Sequence, residues 1–358
     1  MTAVMLDLTR PVTGGVDTHK DVHVAAVVDE VGRLLGVESF PTTLVGYELL
    51  LDWMTSFGPV AQVGVEGTGS WGAGLTRFLV GERVSVVEVC RPDRQTRRLV
   101  GKSDPIDAQA AAIAALSGRA NVVPKSGDGP VEAIRLLVGC RKSAVKAKQA
   151  CWNQLLSTVD SAPDEVRDRF RDLTERALIR RALRYRPGND LADPSVAAVF
   201  TIRELARRWS QLDTQIRVLD EQLDVAVNDA APNLVNVFGV GTHTAAVLLM
   251  CAGDNPERLR SEGAFAALCG VTPVQASSGK TVRHRLNRGG NRNANSALWR
   301  VAMTRLSHEP RTQAYMAKRT ADGLSKKEVI RCLKRAISRE VYRAIIADLA
   351  SPELSEAA

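Results

Sequence analysis

An α/β domain followed by an all-α remainder is the fold class this sequence predicts, and three observations predict it. Short β-rich apolar runs alternate with helical patterns through the first third of the chain. Beyond residue 130, apolar residues recur at three- and four-residue steps, the mark of amphipathic helices. The 45% hydrophobic content of the 358 residues can supply a full core, which excludes global disorder.

Residues 12–17, 22–29 and 33–40 read as three strands. Asp29-Glu30-Val31-Gly32 makes a hairpin turn, and Val22, Val24, Ala26 and Val28 alternate with their neighbours. A helical pattern covers about 43–57 and stops at Gly58-Pro59. A strand at 60–66, a helix near 71–81, a strand at 84–89 and helical segments to about 117 follow. The order βββαβαβα is that of the ribonuclease H-like fold, in which parallel βα units extend three antiparallel strands. Asn121–Pro130 carries proline, glycine and serine and marks a boundary, so 1–120 reads as the first domain.

Two helical stripes define a middle domain over 121–231. Ile134, Leu137, Arg141, Val145, Lys148, Trp152, Leu155 and Val159 form the first. Ile202, Leu205, Trp209, Leu212, Ile216, Leu219, Leu223 and Ala226 form a heptad seam, which predicts a coiled coil. The seam fits an antiparallel hairpin with the earlier helix, a subunit contact, or both. Residues 162–193 read as a charged insertion. A third, mainly helical domain over 232–350 opens with a helix-hairpin-helix-like pattern around Gly239-Val240-Gly241, whose glycines let backbone N–H groups approach a phosphate. His243, next to that turn, reads as a turn residue. Helices over about 293–307 and 325–348 complete this domain.

Four carboxylates stand out. Asp17 and Glu66 fall where β-rich runs end, and in open α/β sheets sites form at strand carboxyl ends. Asp104 and Asp107, in Lys102-Ser103-Asp104-Pro105-Ile106-Asp107, open a helix and share one of its faces. Singly, each has a structural role: Asp104 before Pro105 resembles a helix cap. Gathered from two strand ends and a helix start, they suit Mg²⁺, which takes carboxylate oxygens and keeps positions open for phosphate.

The charge is lopsided. Between Lys280 and Arg343 stand 17 Lys and Arg against four acids, so this segment is +13 within a chain of net +8. A polyanion partner follows, with nucleic acid foremost. Ser277-Ser278-Gly279 precedes the run Lys280, Arg283, Arg285, Arg288 and Arg292. A serine beside glycine is little hindered, and arginines after it can neutralise a phosphate. No Gly-x-Ser-x-Gly element occurs, so a Ser/His/Asp hydrolase is not suggested. The six cysteines form no Cys-x-x-Cys pair, which argues for reduced thiols in the cytoplasm and against structural zinc. No apolar run reaches the ~18 residues of a membrane span.

These motifs together resemble the DEDD transposases of the IS110 insertion sequences, described as bridge-RNA-guided recombinases. Gly15-Val16-Asp17-Thr18-His19-Lys20, Val65-Glu66-Gly67-Thr68-Gly69 and Ser103-Asp104-Pro105-Ile106-Asp107 match that family's RuvC-like domain. Leu268-Cys269-Gly270-Val271-Thr272-Pro273, Ser278-Gly279-Lys280 and Arg288-Gly289-Gly290-Asn291 match its transposase domain. The resemblance implies that Asp17, Glu66, Asp104 and Asp107 hold Mg²⁺ or Mn²⁺. It also implies that Ser278 attacks DNA to form a phosphoserine link. The residues alone do not separate Ser278 from Ser277. Implied partners are donor and target DNA, a non-coding bridge RNA, and further copies of the chain as a dimer assembling to a tetramer. The acids taken alone equally fit a RuvC-like metal-dependent Holliday-junction nuclease.

Overall fold

The β-branched runs of the N-terminal region form one five-stranded sheet. Its strands are β1 (Val12–Thr18), β2 (Val22–Val28), β3 (Leu34–Pro41), β4 (Val60–Glu66) and β5 (Val86–Val89). A computed structural model describes residues 9–89, 103–277 and 284–350. The chain divides into two compact units: Met1–Gly129 with Ala252–Phe265, and Pro130–Cys251 with Ala266 onward.

In the first unit the sheet order is β3-β2-β1-β4-β5. β2 pairs antiparallel with β1 and β3, whereas β4 pairs parallel with β1 and β5. The β2–β3 link is the expected tight turn. Asp29 Oδ1 accepts from the backbone N–H groups of Val31 (3.0 Å) and Arg33 (2.8 Å), and Gly32 takes φ +86°. Helix α1 (Leu44–Thr55) starts at Thr43, whose hydroxyl accepts from Gly46 N at 3.1 Å.

Alternation along the strands sends side chains to two different layers. Val16, Ala25, Val27, Val63 and Val65 pack with Leu50 and Met54 of α1 and with Leu75 and Leu79 of α2 (Ala73–Gly81). The opposite face meets α3 (Asp104–Leu116), where Ala108 packs on Val24 and Ala26. This second layer is thin because glycines line it. A Cβ on Gly15 would lie 2.1 Å from Ala112 N and 2.3 Å from Ala108 O, and one on Gly64 would lie 2.5 Å from Ala111 O. The helix therefore rests on strand backbone, and its alanines (Ala108, Ala111, Ala112, Ala115) are all buried.

The second element of this unit is the excursion Ala252–Phe265. A 3₁₀ turn at Pro256–Arg258 directs the Arg258 side chain inward, where Nε donates to Val123 O at 3.0 Å. The same guanidinium lies 3.7 Å from Glu88 of β5, and Asn255 Nδ2 donates to Pro124 O at 3.1 Å. Residues 121–124 are thus held by a segment more than a hundred residues later.

The second unit is helical. Helix α4 (Pro130–Ser161) and helix α7 (Pro194–Ala230) run antiparallel, as the pairs Arg141–Asp220, Lys148–Asp213 and Cys151 Sγ–Leu205 O require. The charged insertion folds as α5 (Asp164–Phe170) and α6 (Glu175–Arg184), whose Phe170, Leu178, Ile179 and Ala182 fill the end of the hairpin. On α7 the stripe is buried at Ile202, Leu205, Trp209 and Leu223, but only half-buried at Leu212, Ile216 and Leu219. On α4 the expected stripe is corrected in its middle. Val145 is 41% exposed, and the smaller Ala144 and Cys151 are buried. Arg141 and Lys148 instead border the seam as ion-pair partners, and Lys148 Nζ sits 4.0 Å over the Trp209 ring.

The remaining elements are α8 (Pro232–Val235), α9 (Thr242–Ala252), α10 (Glu262–Leu268), β6 (Val274–Gln275), β7 (His284–Arg285), α11 (Arg292–His308), α12 (Pro310–Ala321) and α13 (Lys326–Leu349). The short hairpin β6–β7 and helix α12 were not anticipated from the sequence. Asp348, 1% exposed, accepts from Asn233 N, Asn233 Nδ2 and Leu234 N and so caps α8 from the far end of the chain. Among the described residues, no helix is long and apolar enough to cross a membrane.

The glycine contact yields a test. Gly15→Ala forces α3 off the sheet, because the obstructing atoms are backbone. The expected loss is about 3 kcal/mol in urea unfolding, at the upper end for overpacking. Gly69→Ala, where a Cβ meets nothing within 4 Å, is the control and stays near wild type.

Candidate active site

The acids of the first unit come to one edge because of strand and helix phase. Asp17 pairs with Val24 across the ladder and lies on the α3 face, two residues beyond Gly15. Glu66 ends β4 and, by alternation, follows Gly64 on that same face. Thr18 Oγ1 donates to Glu66 O at 2.8 Å, which ties the two strand ends together. The chain then turns through Gly67 at φ +67°, a conformation that favours glycine.

Asp104 and Asp107 enter from α3. The cap position is Ser103, with φ −150° and ψ 152°, and its carbonyl accepts from Asp107 N at 3.0 Å. Asp104 is therefore the first helical residue and not the cap, and Pro105 stands second. Its carboxylate is free of capping and meets a side chain the sequence reading had passed over. His19 Nε2 lies 3.2 Å from Asp17 Oδ2 and 3.5 Å from Asp104 Oδ1. One ligand atom each from Asp17, His19 and Asp104 falls within 4.8 Å of the others. Asp17 and Asp107 are buried and Asp104 is exposed. Glu66 and Asp107 are not part of that trio. The signal for His19 was its place two residues after the strand-end aspartate.

Electrostatics fit a cation here. Burial raises the Asp17 carboxyl above the ordinary range; His19 pulls it back, while Asp107 and Asp104 push it further up. Behind it, on the other face of the sheet, His23 is fully buried opposite Thr18 and stacks on Tyr47 at 5.7 Å and 9°. Burial, with His19 nearby, lowers its pKa to about 4, so it stays neutral and adds no competing positive charge at neutral pH. The carboxylates suit an oxygen-seeking divalent ion such as Mg²⁺ or Mn²⁺, while the imidazole is a donor that favours softer divalent metals.

The other expected site residues lie in the second unit or outside the described residues. Ser278, Lys280 and Arg283 are outside them. Ser277 ends the described stretch after β6 and is exposed. Arg285 sits on β7 opposite Val274, and Arg288 and Arg292 are exposed on the following turn and helix. The glycine motifs have a packing cause. Gly270 (φ +64°) and Gly290 (φ +78°) abut so closely that a Cβ on Gly290 would lie 2.5 Å from Gly270 N. Asn291 then caps α11, accepting from Asn293 N and Ala294 N. His243 lies in the first turn of α9 rather than in the preceding turn. Burial, with Arg141 and Arg300 nearby, lowers its pKa.

Comparison with known proteins bears on both units. Residues 14–162 match the DEDD transposase model of the IS110 group, described as a transposase, and residues 231–317 match the model described as "Transposase IS116/IS110/IS902 family". The class is thus that of DEDD-type transposases. Over 147 residues the chain is 30% identical to "Insertion element IS110 uncharacterized 43.6 kDa protein" of Streptomyces coelicolor, covering 41% of this chain. It spans about a third (34%) of that relative's length. The chain belongs to the IS110 family of transposases.

The raised Asp17 carboxyl makes a signed prediction. A carboxyl raised by folding stabilises below its unfolded pKa, and that contribution is lost as pH rises through the folded value. At neutral pH, ionised Asp17 is a cost. Asp17→Asn therefore raises the melting temperature of the metal-free protein. Millimolar Mg²⁺ raises that of wild type and leaves the variant nearly unchanged, as differential scanning fluorimetry would record.

Proposed function

We propose that this protein is a DNA recombinase that cuts and rejoins the DNA of an insertion element under the guidance of a non-coding bridge RNA. The observation that carries the reading is the gathering of Asp17, Asp104 and His19 at a strand end, in a chain of the IS110 transposase family. On this reading the first unit is a ribonuclease H-like, RuvC-like domain, and Asp17, Glu66, Asp104 and Asp107 hold Mg²⁺ or Mn²⁺. A divalent ion bound there supplies charge neutralisation at a phosphoryl oxygen and eases loss of a hydroxyl proton. Ser278 is the nucleophile: its Oγ bonds to phosphorus, the scissile P–O bond breaks, and the leaving sugar oxygen takes up a proton. Lys280, Arg283, Arg285, Arg288 and Arg292 neutralise backbone phosphates near it. Pairing of the guide RNA with DNA would carry the sequence specificity, leaving the protein to read backbone and shape.

We also assign self-association to the α4–α7 hairpin as a coiled-coil contact between copies, a dimer assembling to a tetramer. The half-buried centre of the α7 stripe, Leu212 to Leu219, supports this, since a second copy would cover it. Replacing Leu212 and Leu219 by Asp should lower the sedimentation coefficient to that of a monomer, because charge in an apolar seam is costly. An unchanged oligomer removes the assignment.

The chemistry is tested by trapping. Wild type incubated with element DNA, guide RNA and Mg²⁺ should give an SDS-resistant protein–DNA adduct. Ser278→Ala should abolish the adduct, and Asp17→Ala or Glu66→Ala should abolish cleavage while leaving nucleic-acid binding largely intact. Loss of the adduct in Ser277→Ala instead would move the nucleophile by one residue. Cleavage without any adduct would favour a metal-dependent junction nuclease.

A further inference from the structure

Between β7, α12 and α13 the second unit contains a cleft of about 590 Å³, and beside it a smaller one of about 360 Å³. Both lie within the ~300–1,000 Å³ span of pockets that take small molecules. Leu286, Asn287 and Lys334 line both, so they form the partition between two chambers. The larger is strongly basic: Arg285, Arg319, Arg331, Arg335 and Arg339 join Lys334, and Tyr315, a residue 36% exposed, contributes its ring. Among the described residues its one lining acid, Glu328, accepts from Ser325 in the cap of α13 and lies 3.5 Å from Arg331. The smaller chamber has Arg288, Arg292 and Trp299, a residue 46% exposed.

Lys334 is the unusual group. It is only 6% exposed, and its ammonium donates to Asn295 Oδ1 at 2.8 Å. That amide is committed, since Asn295 Nδ2 donates to Cys269 O (3.1 Å) and Gly270 O (2.8 Å). Among the described residues no carboxylate forms an ion pair with Lys334. Burial, with Arg331 nearby, pulls its pKa below the ordinary lysine range. A buried cation held by a neutral amide between two cation-lined chambers is completed by an anion.

We propose that this two-chambered cleft binds unpaired nucleotides, with a backbone phosphate on Lys334 and bases stacked on Trp299 and Tyr315. The inference rests on the nucleic-acid reading above and adds the form of the ligand. A duplex hides its base faces inside its own stack and is too wide for chambers of this size. An unpaired strand offers both a π-face and a phosphate to the same cleft. Cations alone would suit any polyanion, and the exposed rings are what select an unpaired base.

The test is fluorescence anisotropy on the full chain with labelled decamers. The probes are oligothymidylate, oligouridylate, a thymidylate strand with central abasic sites, and a blunt duplex. Trp299→Ala and Tyr315→Ala, both at exposed rings, should each weaken oligothymidylate binding on the order of tenfold while leaving duplex affinity unchanged. The abasic strand should bind more weakly from the start and ignore both substitutions. Lys334→Met should weaken all three unpaired strands and lower the salt slope by about one. Tighter binding of oligouridylate identifies RNA as the source of the nucleotides, and tighter binding of oligothymidylate identifies DNA; either keeps the proposal. Unpaired-strand binding that is unchanged in both aromatic variants overturns the cleft assignment alone. Failure of wild type to bind any of the four probes overturns the nucleic-acid reading with it.

Discussion

The acid cluster depends on one close contact, the backbone of α3 lying on strand glycines. At Gly15 and Gly64 the helix approaches to where a Cβ would collide with its main chain. That approach sets the height of the first helical turn above the sheet, so Asp104 comes within reach of the imidazole that also meets Asp17. Alanines on α3 complete the fit, because larger residues would lift the helix and separate the acids. Packing density here sets the geometry of the acid cluster and not merely stability.

The two units divide the electrostatic labour. The first gathers acids whose mutual repulsion, with burial, leaves Asp17 reluctant to ionise. A cation relieves that strain, and His19 stands where it can share it. The second unit concentrates arginine and lysine around its chambers, with Lys334 buried among them. Positive charge in the second unit suits a polyanion held by its backbone, and negative charge in the first suits a metal. Neither arrangement works with the signs exchanged.

The second unit also contains the long antiparallel hairpin of α4 and α7. One end is sealed by large buried apolar side chains, Phe170 and Ile202 among them. Its centre is bridged by Arg141–Asp220 and Lys148–Asp213, which leaves the apolar stripe there only half-covered. Ion pairs at a seam add less stability than apolar burial but fix register, and register decides which residues face outward.

What the sequence determined by itself was local, though not every local element: helix α12 (Pro310–Ala321) escaped it. Strand periodicity located all five strands of the sheet, and three- and four-residue recurrence located the two long helices, because those signals are written in neighbouring residues. The four acids were legible as residue types at element ends, and the charge asymmetry by counting. Tertiary structure alone decided the rest. His19 joined the acids because α3 brought Asp104 back over β1 across more than 80 residues. Val145 left its stripe because small residues and ion pairs on α4 suited α7 better. The two-residue strands β6 and β7 exist through pairing rather than propensity. Lys334, one basic residue among many in its helix, acquired its character from burial against Asn295, and burial is a property of the packed chain that no local pattern carries.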